Sequence, residues 1–259
     1  MNYAIREVEL NHMTPGLKRI VKDTLRIFRD AVKMLSDIAI IEWDGLKDLN
    51  SQDQLTYMEE LVHSTKHHQA KYPQFDQTFH KFPSYYRRSA AHAACGQVSS
   101  YLTRLKQYEE KRYDHISNGR RFKEKVPTLN FETSMFPSMY NKQMYKMDGC
   151  DIQLKLFIRN TWDWVFVSMP MRDRKSLDRA IADGGRFRSP KFLIRNNKFY
   201  LQFPVLFKRG NFPKTDVWGQ TVLGVLLLNE CISRICFLLD VSNAVNDGLS
   251  CLNLSLIHI

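Results

Sequence analysis

The sequence has no uninterrupted apolar run of about 20 residues, the length that a membrane-spanning helix needs. Its most apolar stretch, Val222 to Val241, is broken by Asn229, Glu230, Arg234 and Asp240. The start MNYAIREVEL carries charges where a secretory signal has its apolar core, so the expectation is a soluble, intracellular chain with no membrane partner. Cysteines are few, at positions 95, 150, 231, 236 and 251, and no two form a C-x-x-C pair. An odd count without that spacing excludes a disulfide framework and a zinc ribbon and leaves reduced, mostly buried thiols. Gly (11) and Pro (9) are scarce, while 44% of the 259 residues are hydrophobic and 12% aromatic. A chain of that length and composition can bury enough surface to order one or two domains. It shows no internal repeat and no low-complexity segment.

Local signatures of common chemistry are missing too. There is no G-x-x-x-x-G-K-[ST], no G-x-G-x-x-G after a strand, no G-x-S-x-G and no H-E-x-x-H. His63, His67 and His68 have helical spacing but lack the intervening Glu and a third ligand, so a solvated helix end is expected rather than a metal site. Glu109 and Glu110 fit pairing with Lys106 or Arg112 on a helix face better than acid–base work. Asp148 and Asp151, either side of Cys150, flank the start of a strand. No catalytic constellation and no metal site can be assembled from these residues, and no small-molecule substrate is indicated.

What the sequence does have is positive charge: 38 Lys and Arg against 27 Asp and Glu, a net +11. The excess is concentrated. From Lys81 to Lys125 there are 11 basic and four acidic residues, and from Arg186 to Lys214 eight basic residues and no acid. Aromatic residues are interleaved in both stretches, among them Tyr85, Tyr86, Tyr101, Tyr108 and Phe122, then Phe187, Phe192, Tyr200, Phe203 and Phe207. Cations neutralise phosphates and aromatic faces stack on unpaired bases, so the mixture points to nucleic acid, with Arg120, Arg121, Lys123, Arg186, Arg188, Lys191 and Arg209 as candidate contacts. For any single residue the plainer reading, a core ring or a solvated charge, stands beside this one.

The pattern of elements is mixed. Residues 2 to 10 alternate as one strand. Thr14-Pro15 then reads as a helix start, and Leu17, Ile20, Val21, Leu25, Phe28, Val32, Leu35, Ile38 and Ile41 recur at helical spacing as far as Gly45. A second helix is expected over Ser51 to Lys71 and a third from Ser84, with Ala91, Ala94, Val98, Tyr101, Leu102 and Leu105 along one stripe. After residue 150 the period changes to that of strands. Ile152 to Ile158 and Trp162 to Met169 form a hairpin turning at Arg159 to Thr161, and Ser176 to Ala182 a short helix ended by Gly184-Gly185. KFLIRNNKFYLQFPV forms a second hairpin turning at Asn196-Asn197, because Asn tolerates positive φ. Residues 221 to 228 make a last buried strand. A lone N-terminal strand needs partners, and the strands available lie after residue 150, so the helical block reads as an insertion into a β-domain in an α+β fold.

Several phrases carry a family resemblance. FPSYYRR (Phe82 to Arg88), GQVSSYL (Gly96 to Leu102), PSMYNKQMYK (Pro137 to Lys146), IQLKLFIRNTWDWVFVSMP (Ile152 to Pro170), KFYLQFPVLFK (Lys198 to Lys208) and QTVLGV (Gln220 to Val225) make the chain resemble the N-terminal half of TnpB proteins. These are the OrfB products of bacterial insertion sequences, annotated transposases related to type V CRISPR effectors. The resemblance implies a wedge-type β-barrel with an inserted helical recognition lobe, followed by a RuvC-like nuclease domain. On this chain that gives a first wedge strand over 1–12, a recognition lobe and linker over 13–146, the rest of the wedge domain over 147–219 and a RuvC-like start over 220–259. It implies guide RNA and target DNA as partners, in the cytoplasm of a bacterium at its nucleoid, with guide pairing reading the target. Tyr85, Tyr86, Arg87, Arg88 and Arg104 would face nucleic acid in the lobe. Tyr140, Asn141, Lys142, Gln143, Lys146, Lys198 and Lys208 would contact RNA backbone or the adjacent duplex from the wedge side.

The sequence departs from the family where the nuclease begins. The family's G-V-D-L-G supplies an Asp that binds a catalytic metal, and a Glu and a second Asp far downstream complete a two-metal site. Here Gly224-Val225 is followed by Leu226-Leu227-Leu228, and leucine has no oxygen for Mg2+. The expected catalytic set is therefore empty, and Mg2+ and a zinc ribbon belong only to a full-length relative. Residues 226–259 hold nine Leu, three of the five Cys and one basic residue, which suggests an aberrant tail. Two functions stay open: the nucleic-acid-binding fragment of an RNA-guided endonuclease, inactive alone, or a nuclease-dead, repressor-like binding module.

Overall fold

β1 (Asn2–Glu9) pairs antiparallel with β7 (Lys198–Phe207), Val8 opposite Leu201, so the chain's first strand and its last described strand are neighbours. The computed structural model describes residues 2–131 and 136–207. β7 is the centre of this sheet: β1 lies on one side, and β6 (Lys191–Arg195) and β5 (Arg186–Phe187) lie in succession along the other. Every second β7 residue, from Phe199 to Phe207, is buried, the alternation of a strand with one covered face. The β6–β7 turn places Asn196 and Asn197 at φ 49° and 59°, the two-residue hairpin geometry that the sequence predicts. Gly185, before β5, has no room for a side chain: a Cβ there would lie 2.5 Å from the Ala180 carbonyl and from Val205.

A second antiparallel sheet has the order β2 (Tyr145–Asp148), β3 (Asp151–Ile158), β4 (Thr161–Ser168). The β3–β4 hairpin falls where expected, with Arg159 and Asn160 at positive φ in the turn. β2 is too short to show a period in sequence, and it straddles the 146/147 boundary drawn there. Isolated bridges, Asn11 to Ser168 and Ser138 to Lys191, join segments beside one sheet to strands of the other.

The helices between β1 and β2 are α1 (Pro15–Ile41), α2 (Trp43–Leu46), α3 (Ser51–Val62), α4 (Gln74–Thr78) and α5 (Ser84–Ser117). Thr14 caps α1 by accepting from the Leu17 amide, and the predicted stripe from Leu17 to Ile38 is buried against α5 and β3. Within that contact the Thr24 hydroxyl donates to the Ile20 carbonyl and accepts the Phe157 amide at 3.0 Å, fixing α1 to β3. α3 ends at Val62, not Lys71. Short polar side chains take over its backbone there: Ser64 accepts the Ala70 amide, and Thr65 and His68 close a turn. α6 (Met171–Ala182) starts earlier than the predicted Ser176, straight after Pro170, and its Asp173 accepts the Glu9 amide at 3.0 Å. The fold is α+β. The expected strand over 221–228 and the segment from 220 lie outside the described residues. No helix among the described residues is long and apolar enough to cross a membrane.

Candidate nucleic-acid interface

α1 turns a second stripe outward. Lys22, Arg26, Arg29 and Lys33 are spaced four, three and four residues apart, which brings them to one face of the helix. Arg26, Arg29, Asp30 and Lys33 form one wall of an open groove of about 620 Å³, and Thr128, Leu129, Asn130 and Phe131 form the other. Asp23 pairs with Arg26 at 3.6 Å, both well exposed, and Lys22 donates to the Asn197 side chain at 3.4 Å in the β6–β7 turn. A groove with three cations on one wall and amide, hydroxyl and aromatic groups on the other suits a sugar–phosphate strand. Sequence reasoning passed over it because the acids at 23, 30 and 37 hide the cations in any linear count; helical phasing gathers the four cations on one face, with Asp30 beside them on the groove wall and Asp23 paired with Arg26.

The predicted contacts in the helical block divide sharply. Tyr86 is buried, with its hydroxyl donating to the Lys155 carbonyl at 2.8 Å and its ring 4.6 Å from that of Trp162. Arg87 is 6% exposed, 3.9 Å from Asp76 and 4.0 Å from Glu59, and burial lowers its pKa against the raising influence of those two acids. Both residues are therefore core rather than surface, while Arg104, about five turns after Tyr86 on the same face of α5, is exposed because the helix's buried residues end at Val98. Arg88, half-buried, lies 3.6 Å from Glu59, and Tyr85, also half-buried, meets the Tyr140 ring at 5.2 Å. Arg104, Arg120, Arg121 and Lys123 are exposed on the far part of α5 and the segment after it, where Phe122 packs on Tyr108 at 5.1 Å.

On the β side, Asn141, Lys142 and Gln143 are exposed in the turn before β2, with Lys142 at φ 64° and its amide bonded to the Tyr145 carbonyl. Asn141 and Arg188 share a cleft of about 250 Å³ with Tyr145, Met147, Phe187 and Ser189. Lys146 Nζ stands 4.3 Å from the Trp164 ring centroid. Arg186 and Lys191 are exposed along β7's edge partners, and Lys198 is exposed at the other end of that sheet, bonded to Glu9 at 2.9 Å, which raises its pKa. The structure thus brings Tyr85 to Tyr140 and Asn141 to Arg188, and keeps Lys198 and the α5 cations apart from them. Lys208, Arg209 and Leu226 lie outside the described residues.

The remaining titratable groups read as structural. His63 meets Asp76 at 2.7 Å and His68 meets the Glu60 carbonyl, the polar helix end expected for them. Lys106 lies 3.9 Å from Glu110, the helical pairing expected there. Among the described residues no group of three or more His, Cys, Asp or Glu is placed to hold a metal ion. No curated protein matches the chain. The Aq_aa04 family matches residues 4–158, from β1 through β3, and the chain belongs to the Aq_aa04 family.

Proposed function

We propose that the chain binds nucleic acid, and that it is the nucleic-acid-binding part of a TnpB-like RNA-guided DNA endonuclease, with guide RNA and target DNA as partners in the bacterial cytoplasm and nucleoid. The observation that carries this reading is the α1 groove, where Arg26, Arg29 and Lys33 line one wall opposite Thr128, Asn130 and Phe131. Exposed cations at Arg104, Arg120, Arg121, Lys123, Lys142, Arg188 and Lys191 extend positive charge onto both halves of the fold.

The finer architecture in this proposal is a wedge-type barrel carrying a helical recognition lobe, with a RuvC-like segment after it. The β1–β7 pairing supports it, because the helices α1 to α5 fall within the chain that runs between these two neighbouring strands, and so do the Asn11–Ser168 and Ser138–Lys191 bridges at the sheet margins. A second reading, a nuclease-dead and repressor-like module, is favoured by one sequence fact, Leu226 at the position of the metal-binding Asp.

Cross-linking the chain to RNA in its own cells and sequencing what is recovered tests the reading. Enrichment of a transcript that ends beside the gene is expected; recovery no different from input RNA overturns it. The DNA beyond codon 225 separates the two forms. G-V-D-L-G in another frame marks the endonuclease, and one intact frame marks the binding module.

A further inference from the structure

The outer face of the β2–β3–β4 sheet carries a pattern that the groove does not account for. β4 places Trp162, Trp164 and Phe166 on one side by its two-residue period. Their cover decreases along the strand: Trp162 packs under Phe82 and Tyr86, Trp164 is half-buried, and Phe166 is 70% exposed. In the ladder Lys155 is opposite Trp164, Gln153 opposite Phe166, and Lys146 opposite Gln153. Lys146 Nζ lies 4.3 Å and Lys155 Nζ 5.9 Å from the Trp164 centroid. Asp148 and Asp151 close the far end of the face at the β2–β3 turn.

We propose that this face is a stacking platform for unpaired nucleotides. Phe166 takes a base on its ring, Gln153 reaches that base's edge, and Lys146 and Lys155 meet the adjoining phosphates. Trp164 is a positioning residue that holds the two ammonium groups over its ring. A large exposed ring beside two fixed cations complements a single polynucleotide strand, which offers a free π-face and an anionic backbone together. A duplex hides its base faces, and an apolar protein segment would leave both lysines unmatched. The acids at the turn keep the strand on the Lys146 side. The inference rests on the nucleic-acid reading above and narrows it to single strands.

Fluorescence anisotropy of the full chain with labelled oligouridine and oligothymidine of about 15 nucleotides, and with a duplex of equal length, tests it. Both single strands should bind more tightly than the duplex. Phe166→Ala should lower single-strand affinity about tenfold and leave duplex affinity unchanged, and Phe166→Trp should restore it. Because Phe166 is exposed, the alanine variant should keep the wild-type urea midpoint. Equal affinity for the two oligomers assigns a strand of either sugar, and a preference assigns one of them; both support the platform. If Phe166→Ala leaves all affinities unchanged while Lys33→Glu still weakens them, the platform is overturned and the nucleic-acid reading stands. If the wild type binds none of the three, both are overturned. Light scattering that shows a dimer broken by Phe166→Ala would make a second copy of the chain the occupant and overturn the platform.

Discussion

The Tyr86 hydroxyl donates a 2.8 Å hydrogen bond to the Lys155 carbonyl, joining α5 to β3 beneath the Trp162 ring. A residue that sequence position offered to nucleic acid therefore holds the helical and β halves together. Tyr86→Phe removes the donor and leaves a carbonyl without that partner in the core, which should lower stability by about 1 kcal/mol. Tyr86→Ala adds a cavity beside Phe28 and should cost about 3–5 kcal/mol. Urea midpoints measure both, and the Phe variant should keep wild-type affinity for RNA.

Arg87 gives the second test of that division. Its guanidinium lies between Glu59 and Asp76, so Arg87→Met leaves two acids without their shared cation and should cost roughly 1–3 kcal/mol. RNA affinity per folded molecule should stay at the wild-type value. A large loss of affinity in a folded Arg87→Met variant would return the residue to the interface.

Stability should fall at both ends of the pH range, for identified reasons. Burial pushes the Cys95 thiol up to about 11 from its ordinary 9.0, and burial also raises Tyr86 and Tyr145. A group whose folded pKa is raised contributes stability that is complete below its unfolded value and is lost as pH rises through the folded one. For Cys95 that window runs from 9.0 to about 11, and Cys95→Ala should flatten the alkaline limb of the urea midpoint. In the other direction, hydrogen bonds from Lys71 and then Tyr72 lower the Glu42 pKa from 4.5. Its contribution is present above pH 4.5 and is lost as pH falls through the lowered value, so Glu42→Gln should flatten the acid limb. Native Cys95 should also resist iodoacetamide at neutral pH, because the thiolate is the nucleophile.

Much of the fold was legible because its signals are local. Thr14-Pro15 starts α1, the Leu17-to-Ile38 stripe faces the core, and Asn196-Asn197 turns the last hairpin. The α3 end was misplaced because Ser64 and Thr65 satisfy backbone groups by side chain, a competition that periodicity does not register. The interface was read less well. The charge clusters pointed to Arg188 and the family resemblance to Lys146, but Arg26 and Lys33 lie among acids in sequence, and only the helical period shows that they share one face with Arg29. Trp164 and Phe166 read as strand residues on one face, and their exposure follows from how far the cover over Trp162 by Phe82 and Tyr86 extends along β4.

The salt dependence of RNA binding tests the central claim most directly. Each phosphate that a strand places against the protein steepens the slope of log affinity against log salt by about 0.7. Wild type should therefore show a slope of about −2 or steeper, and Arg26→Ala/Lys33→Ala should be shallower by about 1.4 with an unchanged urea midpoint. A wild-type affinity that does not change with salt, or a double variant with the wild-type slope, would contradict the account.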